Sequence, residues 1–238
     1  MAQLIVNDWE GHHNKTEYWK RLEKEKLYAD ASTIMIVPTR GVISARVVEN
    51  WMGLMPPMNQ KFMRMFVSKM EVGAAYSQAI DQILSHPDLS SWKYVLTVEE
   101  DNLLPPDALL RLIGSANEGF DAVGALYWTK GPEGQPMCYG NPNQIPLNFI
   151  PQIPQPETLT ECNGLGMGCT LFRLEMFKDP QLPKPLFQSM QRFDLNKGGE
   201  AYTQDLFFFQ NARKLGYKFA CDSRVKVGHY DAANDMVW

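Results

Sequence analysis

Three carboxylates stand together at Glu99, Glu100 and Asp101, directly after the apolar run Tyr94–Val98. Neighbouring residues of an extended chain point to opposite sides, so Glu99 and Asp101 are expected to face the same way. Oxygen donors on one side suit a hard divalent cation such as Mg²⁺ or Mn²⁺. The competing interpretation of such a charge run is a solvated turn. Its place after an apolar strand favours a metal or substrate site, and we call Glu99–Asp101 the acidic cluster.

Short apolar runs alternate with helical patterns through the first half of the chain, and these elements must position the acidic cluster. Strands are predicted over 34–37, 66–70, 94–98 and 121–126, and helices over 44–54, 71–84 and 105–112. This alternation predicts an α/β fold with a mostly parallel sheet and right-handed crossovers. Parallel sheets bind ligands at the carboxyl ends of their strands. Besides the acidic cluster, those ends carry Thr39, Arg40, Trp128 and Lys130.

The second half of the chain is less regular. Residues 131–155 are rich in Gly, Pro, Asn and Gln and are predicted to form a loop. The remaining predicted elements are a glycine-rich turn at 164–168, a strand over 169–172, a loop and then a helix over 199–216, and a final strand over 219–227 that ends at Gly228 and His229.

The composition narrows the class of protein. The 238 residues are 45% hydrophobic and 21% charged, which is ordinary for a globular protein. We expect a helical extension over residues 1–32 and a single domain over residues 33–238. The formal net charge of −4 argues against a surface that binds nucleic acid or an anionic membrane as a whole.

Targeting signals and cysteine usage point to one compartment. No apolar stretch approaches the roughly 20 residues that span a bilayer, so we expect neither a membrane span nor a signal peptide. The four cysteines form no CxxC pair and show no zinc-ligand spacing. We interpret them as reduced thiols, which predicts a cytoplasmic protein.

The acidic cluster lies in a longer segment, 94–109, that resembles the metal-binding segment of GT-A fold glycosyltransferases of the family-two-like kind. In that family a strand ends in an Asp-x-Asp-like motif, and many members continue with Pro-Pro-Asp-Ala, as residues 105–108 do here. Three further segments resemble later motifs of the family in the same order: 121–127, 164–173 and 203–207. The resemblance covers roughly residues 33–230. Glu99 stands in place of the first Asp, and Gln204 in place of the usual Glu.

The resemblance implies a Rossmann-like, three-layer α/β/α sandwich and a metal-dependent glycosyltransferase. Such an enzyme moves a sugar from a nucleotide-diphosphate donor, a UDP-sugar being favoured, to a hydroxyl acceptor, either a glycan or a hydroxymethylated base in viral DNA. Mn²⁺ or Mg²⁺ neutralises the charge that develops on the diphosphate. Asp101 and His229 are the implied ligands, with Glu99 joining them directly or through water. Asp205 is the implied general base.

The same resemblance assigns residues to the two substrates. The implied donor-binding residues are Pro38, Thr39, Arg40, Ser77, Glu100, Gly166 and Gly168. The implied acceptor-binding residues are Trp128, Lys130 and Gln204. Glycines permit close approach of backbone to a ligand, although a flexible turn is an equal interpretation for Gly166 and Gly168.

Several alternatives stay open at this stage. A sugar nucleotidyltransferase would carry a longer glycine-rich loop than Pro38–Gly41 after the first strand. A non-catalytic nucleotide- or carbohydrate-binding module would fit the Glu99 and Gln204 departures. Three basic residues close in sequence, Lys61, Arg64 and Lys69, could touch DNA phosphates or simply form a solvated face. If the reaction retains the anomeric configuration, Asp205 only positions substrate.

Overall fold

The computed structural model describes residues 29–194 and 198–238. Residues Ala31–Trp238 form one compact unit. The helical extension predicted over residues 1–32 falls mostly on residues 1–28, which lie outside the described part of the chain. Among the helices that the structure describes, none combines the length and the apolar character needed to cross a bilayer.

Helices and strands alternate along the described chain. The helices are α1 (Ala45–Met52), α2 (Val72–Ser85), α3 (Ala108–Ala116) and α4 (Gln204–Lys214), with 3₁₀ turns at Leu89–Ser91 and Leu174–Lys178. The strands are β1 (Thr33–Thr39), β2 (Phe62–Ser68), β3 (Tyr94–Val98), β4 (Asn102–Leu103), β5 (Ala122–Leu126), β6 (Cys138–Tyr139), β7 (Leu159–Cys162), β8 (Gly164–Leu165), β9 (Cys169–Arg173), β10 (Met190–Asp194), β11 (Gly198–Tyr202), β12 (Phe219–Lys226), β13 (Gly228–Asp231) and β14 (Met236–Val237).

A seven-stranded sheet forms the centre of the fold, in the order β2-β1-β3-β9-β5-β12-β7. Strand β1 pairs in parallel with β2 and β3, and β12 pairs in parallel with β5. Strands β9 and β7 run antiparallel to their neighbours. Five strands therefore share one direction, and the predicted mostly parallel α/β sheet is confirmed.

Helices cover both faces of the sheet. Along β1, Ile34 and Ile36 pack on one side while Met35 and Val37 pack on the other, as the two-residue repeat of a strand requires. The first side holds α2, α4 and a group of stacked phenylalanines, in which the Phe187 and Phe208 rings are 4.7 Å apart. The second side holds α1 and α3. The three-layer sandwich therefore has an apolar core on each side of the sheet.

Several predicted boundaries differ from the observed ones. Strand β2 begins at Phe62 rather than 66 and ends before Lys69, whose φ of 62° is incompatible with an extended strand. Residues 199–202 belong to β11, which pairs with β10, and are not a loop. The strand over 219–226 is not the last, because β13 and β14 follow it. The predicted loop over 131–155 contains the two-residue strand β6.

Candidate metal and nucleotide site

Two short strands bring the C-terminal part of the chain onto the acidic cluster. After β3 the chain turns, with the Asn102 N–H donating to Glu99 O over 3.1 Å. Strand β4 then pairs antiparallel with β13, and His229 lies opposite Asn102. The Tyr230 N–H donates to Asp101 O over 2.7 Å. Backbone pairing therefore fixes the position of His229 beside Asp101 at the carboxyl edge of β3.

The orientation of the His229 ring is set by two contacts. Nδ1 is 2.8 Å from the carbonyl oxygen of Trp128, and Nε2 is 3.4 Å from Asp101 Oδ2. A carbonyl can only accept, so the hydrogen bond places a proton on Nδ1 and turns Nε2 toward Asp101. Nε2 carries a second proton when the ring is charged and a lone pair when the ring is neutral. This is the arrangement in which a backbone carbonyl orients a metal-ligating histidine.

The charges of Asp101 and His229 stabilise each other. Burial raises the pKa of Asp101, but the hydrogen bonds from His229 and Lys130 lower it by more, so the net pKa lies below the usual value. Burial lowers the pKa of His229, whereas Asp101 and the Trp128 carbonyl raise it, and the net pKa lies above the usual value. A carboxylate and an imidazole that face each other call for a positive charge between them.

The predicted set of three metal ligands is assembled only in part. In the described part of the chain, no three His, Cys, Asp or Glu side chains are arranged to hold one metal ion. Asp101 and His229 are together, and they fit a divalent cation because a carboxylate oxygen and a properly oriented imidazole nitrogen converge. The structure does not group Glu99 with this pair, and its participation, directly or through water, stays a prediction.

Two other carboxylates lie near this pair. Burial, together with repulsion by Asp101 and Asp205, raises the pKa of Glu99 to about 7. Asp205 lies in the first turn of α4 and is 4% exposed. Burial raises its pKa, although the Thr203 hydroxyl and the Leu206 N–H both donate to Oδ1. Asp205 is therefore shielded from water, whereas Glu99 is only partly buried.

A cavity of about 300 Å³ opens next to the acidic cluster. Its lining residues are Pro38, Thr39, Arg40, Met70, Val72, Glu99, Glu100 and Asp101. Glu100 joins the ends of β1 and β3, because its carboxylate accepts from the Thr39 hydroxyl over 2.7 Å and from the Arg40 N–H over 2.9 Å. Four predicted donor-binding residues, Pro38, Thr39, Arg40 and Glu100, thus share one cavity.

Ser77 lies elsewhere. Its hydroxyl donates to Phe187 O over 3.2 Å and accepts from Phe187 N over 3.0 Å. It lines a separate groove along α2 together with Asp81 and Pro185. Because the hydroxyl is used to join α2 to residue 187, the structure does not bring Ser77 to the cavity beside the acidic cluster.

Gly166 and Gly168 are buried and closely packed by protein atoms rather than open to a ligand. A Cβ at 166 would lie 2.3 Å from the Tyr127 hydroxyl, and one at 168 would lie 2.6 Å from Asn102 Oδ1. The Gly168 N–H also donates to the Tyr127 hydroxyl over 2.8 Å. Both glycines are needed here so that the backbone can pass Tyr127 beneath the acidic cluster.

Replacing Gly168 with alanine is expected to lower the free energy of unfolding by about 1–3 kcal/mol, because the new methyl group overlaps Asn102 and Tyr127. Gly114 in α3 is the matched control, since a Cβ there meets nothing within 4 Å. Gly114→Ala should stabilise the protein by about 0.5–1 kcal/mol. Urea unfolding of both variants measures the difference. A Gly168→Ala protein as stable as Gly114→Ala would contradict the close packing.

The predicted acceptor-binding residues are placed as follows. Trp128 is partly buried and supplies the carbonyl that orients His229. Gln204 begins α4, next to Asp205, and a Cβ at Gly73 would lie 3.0 Å from its Cβ. Lys130 Nζ lies 2.6 Å from Asp101 Oδ2, so the structure places this residue at the acidic cluster.

Asn102 is a site residue that sequence reasoning missed. It is fully buried, and neither its amide nitrogen nor its amide oxygen has a hydrogen-bond partner in the described structure. Its position directly after Asp101 was the available signal. Tyr76 and Tyr127 are fully buried nearby, and burial, followed by the proximity of Glu99, raises the pKa of each.

The fold of this chain is similar to that of many solved structures, two of which are described here. No family model matches the sequence, and neither does any curated protein. The crystal structure of A197 from STIV matches with a TM-score of 0.60 and 16% identity, over 87% of this chain and 92% of that one. The crystal structure of GalNAc-T7 with UDP, GalNAc and Mn²⁺ matches with a TM-score of 0.54 and 10% identity, over 84% of this chain. The predicted GT-A fold is confirmed. This chain spans 44% of GalNAc-T7, and at such identities the likeness shows the fold alone.

Proposed function

We propose that the chain is a metal-dependent glycosyltransferase that moves a sugar from a nucleotide-diphosphate donor, a UDP-sugar being favoured, to a hydroxyl acceptor. The observation that carries this proposal is the pairing of Asp101 with His229, whose Nε2 is turned toward the carboxylate by the Trp128 carbonyl. The pair lies beside a cavity at the carboxyl ends of β1 and β3. GalNAc-T7, with UDP and Mn²⁺ in its crystal structure, supports the same chemistry.

Each part of the site has a separate task in this proposal. Asp101 and His229 would hold Mn²⁺ or Mg²⁺, with Glu99 joining them directly or through water. When bound, the divalent cation neutralises charge on the diphosphate leaving group. Glu100 keeps Thr39 and Arg40 at the mouth of the cavity, where the nucleoside of the donor would lie.

Asp205 is the proposed general base for the acceptor hydroxyl. Its carboxylate is oriented by Thr203 and Leu206, and its burial makes it more basic than an ordinary aspartate. A base whose pKa lies closer to neutral accepts a proton more readily from a hydroxyl group. Trp128, whose carbonyl contacts His229, and Gln204, which directly precedes Asp205 in α4, stay proposed acceptor contacts.

A glycan acceptor is favoured over a DNA base. Two of the three basic residues that suggested DNA are engaged within the protein. Lys61 pairs with Asp88 at 2.8 Å, and Arg64 donates to Trp51 O over 3.2 Å. Side chains held in this way are less available to bind phosphate groups.

A thermal-unfolding series with UDP, GDP and UDP-sugars, each with and without MnCl₂, tests the proposal. UDP with Mn²⁺ at about one hundred times the dissociation constant should stabilise the fold by about 2.7 kcal/mol. For a chain of this size, that stabilisation raises Tm by about 5–10 °C. Either component alone should give a smaller shift. A Tm that no nucleotide or metal changes would contradict the proposal. Nucleotide binding without sugar transfer in any metal would favour a non-catalytic binding module.

A further inference from the structure

Lys130 contacts the carboxylate that the metal would use. Its Nζ is 2.6 Å from Asp101 Oδ2, and His229 Nε2 is 3.4 Å from that same oxygen. At this distance the positive ammonium group stabilises the negative charge of Asp101. A divalent cation would compete for the same oxygen, so Lys130 and the metal would exclude each other from Asp101 Oδ2.

The backbone around Lys130 is anchored, whereas its side chain is partly exposed. The Thr129 N–H donates to Gln135 O over 2.9 Å, and the Gln135 N–H donates to Thr129 Oγ1 over 2.8 Å. Beyond it, the Gly134 N–H donates to Gly131 O over 3.0 Å. The Lys130 side chain is 34% exposed. The ammonium group can therefore leave Asp101 by side-chain rotation, with no change in the loop that carries it.

Acidic groups surround the position of Lys130. Glu99, Asp101 and Asp231 each lie close enough to Lys130 to interact with it electrostatically, and Asp205 lies close enough to Glu99 to do the same. Arg40, the basic residue that lines the cavity, is already bound to Glu100. A diphosphate that enters this site meets several carboxylates, so a basic side chain that moves from Asp101 to the phosphates would offset the repulsion.

We propose that Lys130 is an internal counter-cation, which pairs with Asp101 in the free protein, yields this carboxylate to the divalent metal, and then pairs with the diphosphate of the nucleotide. This inference rests on the proposed function. Lys130 then opposes the binding of metal alone but favours the binding of nucleotide. Metal and nucleotide must therefore strengthen each other's binding, because the two effects are linked.

Mn²⁺ binding measured by electron paramagnetic resonance of the full chain, with and without saturating UDP, tests this exchange. Lys130→Met should bind Mn²⁺ alone about fivefold more tightly than the wild type, the scale expected for loss of a competing ion pair. In the wild type, UDP should strengthen Mn²⁺ binding by about tenfold or more. In Lys130→Met this strengthening should be about threefold or more smaller than in the wild type, and the part that stays comes from the direct attraction between metal and diphosphate.

Two further variants separate charge from other effects. Lys130→Arg keeps the positive charge and should bind Mn²⁺ alone like the wild type. Lys226→Met is the matched control, because Lys226 is exposed and pairs with Glu157 at 3.1 Å, and it should change neither measurement. If Lys130→Met does not fold, as judged by circular dichroism, Lys130→Gln replaces it with the same expectation.

The possible failures are distinguishable. Equal Mn²⁺ affinity of wild type and Lys130→Met, with UDP strengthening both equally, would overturn the exchange and leave the proposed function intact. Absence of Mn²⁺ and Mg²⁺ binding in every variant, with or without UDP, would overturn both. UDP binding that is independent of metal and is lost in Lys130→Met would mean that Lys130 alone, without a metal, neutralises the diphosphate. That result would also overturn the exchange.

Discussion

Asparagine in place of Asp101 is expected to lower the Mn²⁺-dependent release of UDP from a UDP-sugar by about 100- to 1000-fold. The substitution keeps the shape of the side chain and the backbone hydrogen bond from Tyr230, but it removes the charge that Lys130 and His229 contact. An amide oxygen is a weaker ligand for a divalent cation than a carboxylate. Mn²⁺ binding by electron paramagnetic resonance should be lost in parallel with UDP release.

Asp235→Asn is the matched control for this prediction. Asp235 is also close to β13, where it accepts from the Tyr230 hydroxyl over 2.9 Å and from Arg46 over 2.9 Å, but its side chain is 76% exposed. Asp235→Asn removes one negative charge, as Asp101→Asn does, but outside the proposed site. This variant should keep nearly full activity. An Asp101→Asn protein with at least half of the wild-type rate and unchanged Mn²⁺ binding would contradict the assignment of Asp101.

Asparagine in place of Asp205 is expected to lower kcat for sugar transfer by about 100- to 10,000-fold, because the amide cannot accept the proton of the acceptor hydroxyl. Binding of UDP and Mn²⁺ should stay within about threefold of the wild type, since this residue takes no part in the proposed metal pair. Steady-state transfer kinetics and UDP titration of the same preparation separate the two effects.

Asp81→Asn provides the control for Asp205, because Asp81 is 62% exposed and pairs only loosely with Lys184 at 3.1 Å. It should leave both kcat and UDP affinity unchanged. A full rate of transfer in Asp205→Asn would remove the proposed base and would favour a reaction that retains the anomeric configuration. Loss of UDP binding in Asp205→Asn would instead assign this residue to donor positioning.

The sequence predicted the inner strands β1, β3 and β5 well because they are buried on both faces. The run Tyr94–Val98 is apolar and continuous, and the observed β3 has the same bounds. The helix predicted from residue 71 is observed as α2, with the Glu71 side chain accepting from the Ala74 N–H at its start. Such local signals do not depend on distant parts of the chain.

The site depends on contacts that no local pattern contains. Strands β4 and β13 are too short to show a periodicity, yet their pairing places His229 beside Asp101. Here the family resemblance supplied His229, which its position after a strand alone could not. Lys130, a predicted acceptor contact, pairs with Asp101, and the loop that carries it is held by the Thr129–Gln135 hydrogen bonds, which no local pattern reveals. Ser77 was predicted at the donor, but its hydroxyl is used to join α2 to residue 187.

The central claim is that this chain transfers a sugar from a nucleotide-diphosphate donor with the aid of a divalent metal held by Asp101 and His229. The most direct measurement is the rate of UDP release from a panel of UDP-sugars by the wild-type chain, in Mn²⁺ and in EDTA. The account predicts release with at least one UDP-sugar in Mn²⁺ and a rate at the uncatalysed background in EDTA. Release that is equally fast in EDTA, or absent with every nucleotide sugar tested, would contradict it.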